Sequence, residues 1–254
     1  MRKCKKAKEK RKMFNKTNDS IGWAPYSWNP FTGCKHGCSY CYARSIANRF
    51  RNIFPNGFEP TFYPDRLSAP QNTKTPKFNR IDKRLVFLGS MTDFCGDWVK
   101  AIWIEKVFAA IMANPQWTYA TLTKNPERAA QIEWPSDMWV GTSIDTQARI
   151  KPAERAFGKI KDRITFLSCE PMLEDLTFSH LGRFDWVIIG AKSLSGGRKK
   201  QPKKKWVTHL YQQARESGCA IFMKSSLTVY PKGVVARLKE YPKQGQPLSL
   251  FQSK

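Results

Sequence analysis

Six short, almost continuously apolar runs recur along the chain: "LVFLGS" (Leu85 to Ser90), "TYATLT" (Thr118 to Thr123), "MWVGTS" (Met138 to Ser143), "ITFLSC" (Ile164 to Cys169), "WVIIG" (Trp186 to Gly190) and "AIFMK" (Ala220 to Lys224). A strand exposed on one face alternates apolar and polar residues. Runs apolar at nearly every position are expected of parallel strands buried on both faces. The segments between them read as helices. "AIWIEKVFAAIMA" repeats its apolar residues at helical spacing, and "KWVTHLYQQARESG" ends in Gly218, a helix stop. Strand and helix in alternation imply right-handed crossovers and an α/β sheet. With "GWAPYSW" as a first strand, the pattern predicts a partial (β/α) barrel of about six to seven mostly parallel strands. A doubly wound open sheet is the alternative. The 254 residues, 41% apolar and 13% aromatic, suffice for one such core.

The barrel is assigned to residues 21–230, preceded by a basic, flexible tail over 1–20 and followed by a C-terminal extension over 231–254. The formal net charge is +24, and two patches concentrate it. Residues 1–16 carry nine Lys and Arg against one Glu, and "GGRKKQPKKKW" carries six: Arg198, Lys199, Lys200, Lys203, Lys204 and Lys205. Such a field attracts polyanions, so nucleic acid or another polyanion is the expected partner and these six the expected contacts. No apolar run approaches the roughly 18 residues of a membrane span, and the basic N-terminus has no apolar segment behind it as a secretory signal would. Seven cysteines, an odd number with one tight cluster, suit a reducing cytoplasm better than a disulfide framework.

Each apolar run ends in small or polar residues, with Asp93, Lys124, Asp145, Glu170 and Lys192 among them. In α/β barrels the C-terminal ends of the strands carry the site. The cysteine cluster joins them there: "FTGCKHGCSYCYARS" places Cys34, Cys38 and Cys41 on the loop after the first strand and before a helix-like stretch. Thiolates bind zinc or iron–sulfur clusters. A closed zinc site needs four ligands; His36 lies where the loop must curl, and Cys95 is distant in sequence. A [4Fe–4S] cluster held by three thiolates, with one iron open to a ligand, satisfies the count.

The CxxxCxxC spacing, with Tyr40 before the last cysteine, resembles the signature of the radical S-adenosylmethionine (SAM) superfamily. "WNPFTGC", "CSYCYA", "GSMTDF", "TLTKNPERA", "WVGTSID", "FLSCEPML" and "DWVIIGAKS" together resemble the phage protein Gp37/Gp68-like family of radical SAM proteins, from about Ile21 to Ser226. The resemblance implies a [4Fe–4S] cluster on Cys34, Cys38 and Cys41, SAM bound at its open iron and cleaved to a 5′-deoxyadenosyl radical, and an electron donor for cluster reduction, in the cytoplasm of a bacterium or phage-infected host cell. It places Tyr40 near the adenine, Ser90 and Asp93 at the SAM ammonium, Ser143 and Asp145 at the ribose, and Ser168 and Glu170 toward SAM or substrate. One departure stands out: where the family has a Gly-Glu-Ser-Gly run, this chain has Lys192 and a basic loop. Cys95, Cys169 and Lys124 are weak candidates for chemistry at the substrate, and for the two thiols core packing is the preferred alternative. Packing is also preferred over base stacking for Trp23, Tyr26 and Trp28. The expected function is a radical SAM enzyme acting on a nucleic acid or nucleotide, of unspecified reaction type. The alternative is a non-catalytic metal- or cluster-containing nucleic-acid-binding protein.

Overall fold

The computed structural model describes residues 12–18, 21–193 and 199–243. Its centre is an eight-stranded sheet whose spatial order follows the chain: β1 (Asn15–Lys16), β2 (Tyr26–Trp28), β3 (Leu85–Leu88), β4 (Thr118–Thr123), β5 (Met138–Ser143), β6 (Thr165–Cys169), β7 (Trp186–Ile189) and β8 (Ala220–Met223). β1 pairs antiparallel with β2; every other pairing is parallel. A doubly wound sheet reverses strand order at a switch point. Here it never reverses, so the sheet curls in one direction as an open, partial barrel. Among the described residues no pairing joins β8 to β1.

The strands are buried on both faces for the reason their composition implies. Val86, Tyr119, Val140, Leu167, Val187 and Ile221 point outward and pack beneath the helices. These include α2 (Ala101–Met112), α3 (Ile150–Phe157) and α4 (Lys204–Glu216), while α1 (Tyr42–Arg49) seats its buried face on Phe54 and Met91. The alternate residues point inward and build an aromatic plug. Trp23, Phe87, Trp139, Phe166, Trp186 and Phe222 are all buried, and the Trp186 ring centroid lies 5.8 Å from that of Trp23 and 5.7 Å from that of Trp139. Gly141 on β5 makes room for this plug, since a Cβ there would stand 2.7 Å from the Phe166 ring.

Both ends of the assigned domain extend further than the sequence suggested. The N-terminal segment joins the fold before residue 21: Phe14 is buried in the core and β1 edges the sheet. At the other end, Tyr241 packs 5.3 Å from Trp186 and donates a 2.9 Å hydrogen bond to the Trp23 carbonyl. Tyr241 thus joins the barrel interior, while Val235 and Leu238 pack with the outer core. The reason is geometric: an open barrel leaves the inner aromatics of its last strands uncovered unless a further segment covers them.

Candidate active site

The aromatic plug fills only the lower part of the barrel. Above it opens a cavity of about 960 Å³, floored by Trp23, Phe87 and Leu122. Its walls carry the inward residues at the strand ends, Ser143, Ser168, Glu170 and Lys224, and its rim carries Cys34, Cys38 and Cys41. The pleat explains the convergence: each strand's inward positions alternate with outward ones, so the polar residues just past the apolar runs turn to the same side.

The cysteine loop is held at both ends. Gly33, which precedes Cys34, adopts a positive φ of 97°. A Cβ there would collide with the backbone of Glu59 and Pro60, so only glycine threads this gap. Its N–H donates to the Met91 carbonyl at 3.0 Å, and its carbonyl accepts from the Thr92 hydroxyl at 2.7 Å. At the far end Cys41 caps α1, its Sγ accepting from the Arg44 N–H at 3.4 Å. Asn29 secures the neighbouring β3 end, donating to Ser90 Oγ at 2.9 Å and accepting from the Met91 N–H at 2.8 Å.

Asp93 binds the middle of the loop. It is 4% exposed, and its two oxygens meet His36 Nε2 (2.6 Å), the Thr123 hydroxyl (2.6 Å), the Lys124 N–H (2.7 Å) and the Cys95 N–H (3.0 Å). His36 packs edge-on against Trp98. A carboxylate so engaged is an anchor, and little of it is left for the ammonium contact expected of it. His36, considered in sequence as a metal ligand, is thereby turned to Asp93.

Tyr40 leads a second network. Its hydroxyl donates to Asp145 and accepts from Lys124 Nζ at 2.8 Å; Lys124 also pairs with Asp145 at 2.7 Å, as does Arg149 at 2.7 Å. Lys192 Nζ lies 5.7 Å from the centre of the same ring. Burial, and then the Asp145 carboxylate, push the Tyr40 pKa far above its ordinary value, so the phenol stays a neutral donor. Burial alone would raise the Asp145 pKa, but hydrogen bonds from Lys124 and Tyr40 and the charges of Lys124 and Arg149 outweigh it and hold it low. At the next strand ends Lys224, 2% exposed, grips both oxygens of Glu170 at 2.7 and 2.6 Å. Gly190 permits this pair, since a Cβ there would stand 2.7 Å from the Glu170 carboxyl carbon.

Among the described residues no three His, Cys, Asp or Glu side chains close around a single point as one metal ion requires. Three thiols need not close around one point to serve an iron–sulfur cluster, where each thiolate takes a different iron. All three thiols are free, partly exposed and on the rim of one cavity. Burial foremost, with the nearby charges of Asp93 and the other two thiols, pushes the Cys34 pKa up to about 11 despite a hydrogen bond from the His36 backbone. The free Cys34 thiol is therefore protonated at neutral pH, and binding a metal through it would release that proton.

The remaining sequence candidates are distributed unevenly. Ser90, Ser143, Ser168 and Glu170 line the cavity. Cys95 and Cys169 are fully buried in the outer core, with pKa values raised well above that of a free thiol, chiefly by burial, and neither lines the cavity. Trp23 and Trp28 are each 2% exposed and serve packing. Of the basic loop, Lys200, Lys203, Lys204 and Lys205 are exposed, Lys199 is described only as part of a short ribbon (Lys192–Ser193 with Lys199–Lys200), and Arg198 lies outside the described residues. Asn29, Arg149 and Lys224 were not singled out in sequence. Lys224 could have been, as the polar residue that ends the sixth apolar run.

Among solved structures, the chain resembles a spore photoproduct lyase complexed with dinucleoside spore photoproduct at a TM-score of 0.48 and 13% identity, covering 83% of this chain and 65% of that one. A mutant of that lyase gives a TM-score of 0.49 at 13% identity, over 83% and 79% of the two chains. Another mutant, with bound AdoMet and dinucleoside spore photoproduct, gives 0.45 at 14% identity, over 83% and 65%. The chain thus spans about 65% of the first of these. No curated protein matches it. The family described as a protein of unknown function, DUF5131, matches residues 18–245, nearly all of the fold described above, and the chain belongs to that family.

Proposed function

We propose that this chain is a radical SAM enzyme, of the kind its Gp37/Gp68-like motifs resemble, acting on a nucleic acid or nucleotide. The observation that carries the reading is the opening of three free thiols and the polar strand ends onto one cavity of about 960 Å³. That volume is at the upper end of small-molecule sites, roughly 300–1,000 Å³. Cys34, Cys38 and Cys41 would hold a [4Fe–4S] cluster, and together with SAM that group supplies a 5′-deoxyadenosyl radical. The chain's own residues set the surroundings. Asp93 holds the loop through His36, Asn29 holds the β3 end, and Tyr40 presents a neutral ring fixed by Asp145 and Lys124. Glu170 and Lys224 give the wall one acid and one base, matching a zwitterionic ligand, and Ser143 and Ser168 bring hydroxyls to the same space. The basic rim supports a polyanionic substrate.

The test is anaerobic reconstitution with iron and sulfide, followed by a SAM-cleavage assay with a reductant. The wild type should become brown and form 5′-deoxyadenosine. Cys34→Ala, Cys38→Ala and Cys41→Ala should each lose both properties. Full iron loading in any one variant would remove that cysteine from the ligand set, and iron without SAM cleavage in the wild type would favour a non-catalytic cluster protein.

A further inference from the structure

The helix that follows the cysteine loop has an unusual outer face. Tyr42 and Ile46 on α1 and Phe50 at its C-cap recur every fourth residue, and Ile53 continues the line in the following turn. They are 46, 37, 41 and 51% exposed. All four nevertheless line the cavity, so they form an apolar lip to its mouth rather than scattered surface residues. The buried face of the helix, Ala43 and Ala47, is seated with Phe54 and Met91, so the lip has a fixed base. Tyr42 is anchored through its hydroxyl to the Ser90 carbonyl at 2.6 Å while its ring stays open.

The charge on the lip's own helix has one sign, and the Glu170 carboxylate that acts on Tyr42 is held by Lys224. The α1 sequence, YARSIANR, contains two arginines and no acid, and Arg49 lies over the Phe50 ring, 5.3 Å from its centre. Beside the mouth Lys192 Nζ lies 5.7 Å from the ring centre of Tyr40, which lines the cavity, and among the described residues no carboxylate forms an ion pair with it. Apolar planar contacts beside cationic groups match a ligand that has flat faces and a negative backbone. Single-stranded nucleic acid has both, whereas a duplex hides its base faces within the stack.

We propose that the α1 lip is a stacking platform for unpaired bases, so that the cavity receives a base from single-stranded or locally opened nucleic acid, with Lys192 and the exposed lysines that precede α4 taking its phosphates. The proposal deepens the radical SAM reading, since it names the substrate form for that cavity, but its test does not depend on catalysis. Oligonucleotides of about 12 residues, within the usual span of a single-strand site, would be offered as single-stranded DNA, single-stranded RNA and duplex DNA of one sequence. Binding to the anaerobically reconstituted protein is read by fluorescence anisotropy.

Single strands should bind more tightly than the duplex. The double variant Phe50→Ala, Ile53→Ser should weaken single-strand binding by roughly tenfold or more, as loss of a stacked base does elsewhere. Duplex binding, iron content and melting temperature should stay unchanged. The DNA and RNA arms tell which strand is preferred. Equal binding of single strand and duplex, both indifferent to the double variant, would overturn the platform. A wild-type dimer that the variant dissociates would overturn it too, by assigning the lip to a second copy of this chain. A single-strand preference lost in the variant, in a protein that forms no deoxyadenosine, would support the platform and defeat the radical SAM reading alone.

Discussion

Asp93 joins three parts of the site through one carboxylate, taking His36 from the cysteine loop, Cys95 from the segment after β3, and Thr123 and Lys124 from the end of β4. Its buried donors have no water to turn to, so the residue is sensitive to small changes. In Asp93→Asn one oxygen becomes an amide NH₂ facing groups that themselves donate. The variant should lose roughly 2–4 kcal/mol of stability, as expected when buried donors go unsatisfied. Urea unfolding measures that loss, and iron retention after reconstitution should fall with it. A variant with wild-type stability and iron content but weakened SAM binding would return Asp93 to the direct ligand role that its strand-end position first suggested. The sequence placed Asp93 at a strand end but could not count its partners, because Thr123 and Lys124 come from a separate strand.

At the scale of elements, the N-terminus of α4 is of interest because it runs against helix electrostatics. Lys203, Lys204 and Lys205 crowd the end where the helix dipole is positive, and no acid occupies the first turn. Cations there are unfavourable, each by a few tenths to about 1 kcal/mol. Their stems are partly accommodated on aromatic faces, Lys203 over Trp206 at 5.0 Å and Lys204 over Tyr230 at 5.4 Å. Since α4 follows β7, its first turn stands at the strand ends that bound the cavity. Changing Lys200, Lys203, Lys204 and Lys205 to Gln should therefore flatten the salt dependence of nucleic-acid binding by roughly one unit in the log–log slope for each phosphate no longer neutralised. The helix itself should become slightly more stable. A slope identical to wild type, from titrations at several salt concentrations, would detach this rim from the polyanion. The lip on α1 should behave oppositely, changing affinity with little effect on the slope, because stacking releases no counterions.

For the molecule as a whole, stability should depend on pH through a group far from the cavity. Asp185, just before β7, is 7% exposed; one oxygen accepts from the Thr165 N–H at 2.6 Å and the other has no hydrogen-bond partner. Burial raises its pKa from 3.8 to about 6 despite the Thr165 hydrogen bonds. The folded protein therefore keeps this proton up to about pH 6, while the unfolded chain releases it near 3.8. Between those values stability falls as pH rises, by up to roughly 3 kcal/mol, and it should recover on acidification from pH 7 to about 5. Below that, the lowered pKa values of Asp145 and Glu240 act with the opposite sign, their contributions being lost as pH falls through them. Chemical denaturation across this range should show a maximum near pH ~4.5, where Glu240 begins to take up a proton in the unfolded chain, and Asp185→Asn should abolish the slope above it. A flat profile in the wild type would mean that Asp185 stays ionised in the folded state.

Composition and order along the chain determined the strand–helix alternation, the inward polar strand ends and the placement of the three cysteines beside them. These depend on local patterning: apolar runs are buried because water excludes them, and a two-residue pleat decides which neighbours share a face. The strand order that separates a curled open barrel from a doubly wound sheet was decided only by tertiary structure, because either arrangement buries the same runs. So were Asn29 holding Ser90, Lys124 on Asp145, Lys224 on Glu170 and Tyr241 over Trp186. Each of these pairs joins residues from different strands or loops, and their energies depend on distances that arise only once the sheet has curled. The α1 lip lies between the two cases. Its four-residue spacing is present in the sequence, but that pattern usually marks a buried face, and only the packing of Ala43 and Ala47 inward turns Tyr42, Ile46 and Phe50 toward the cavity mouth.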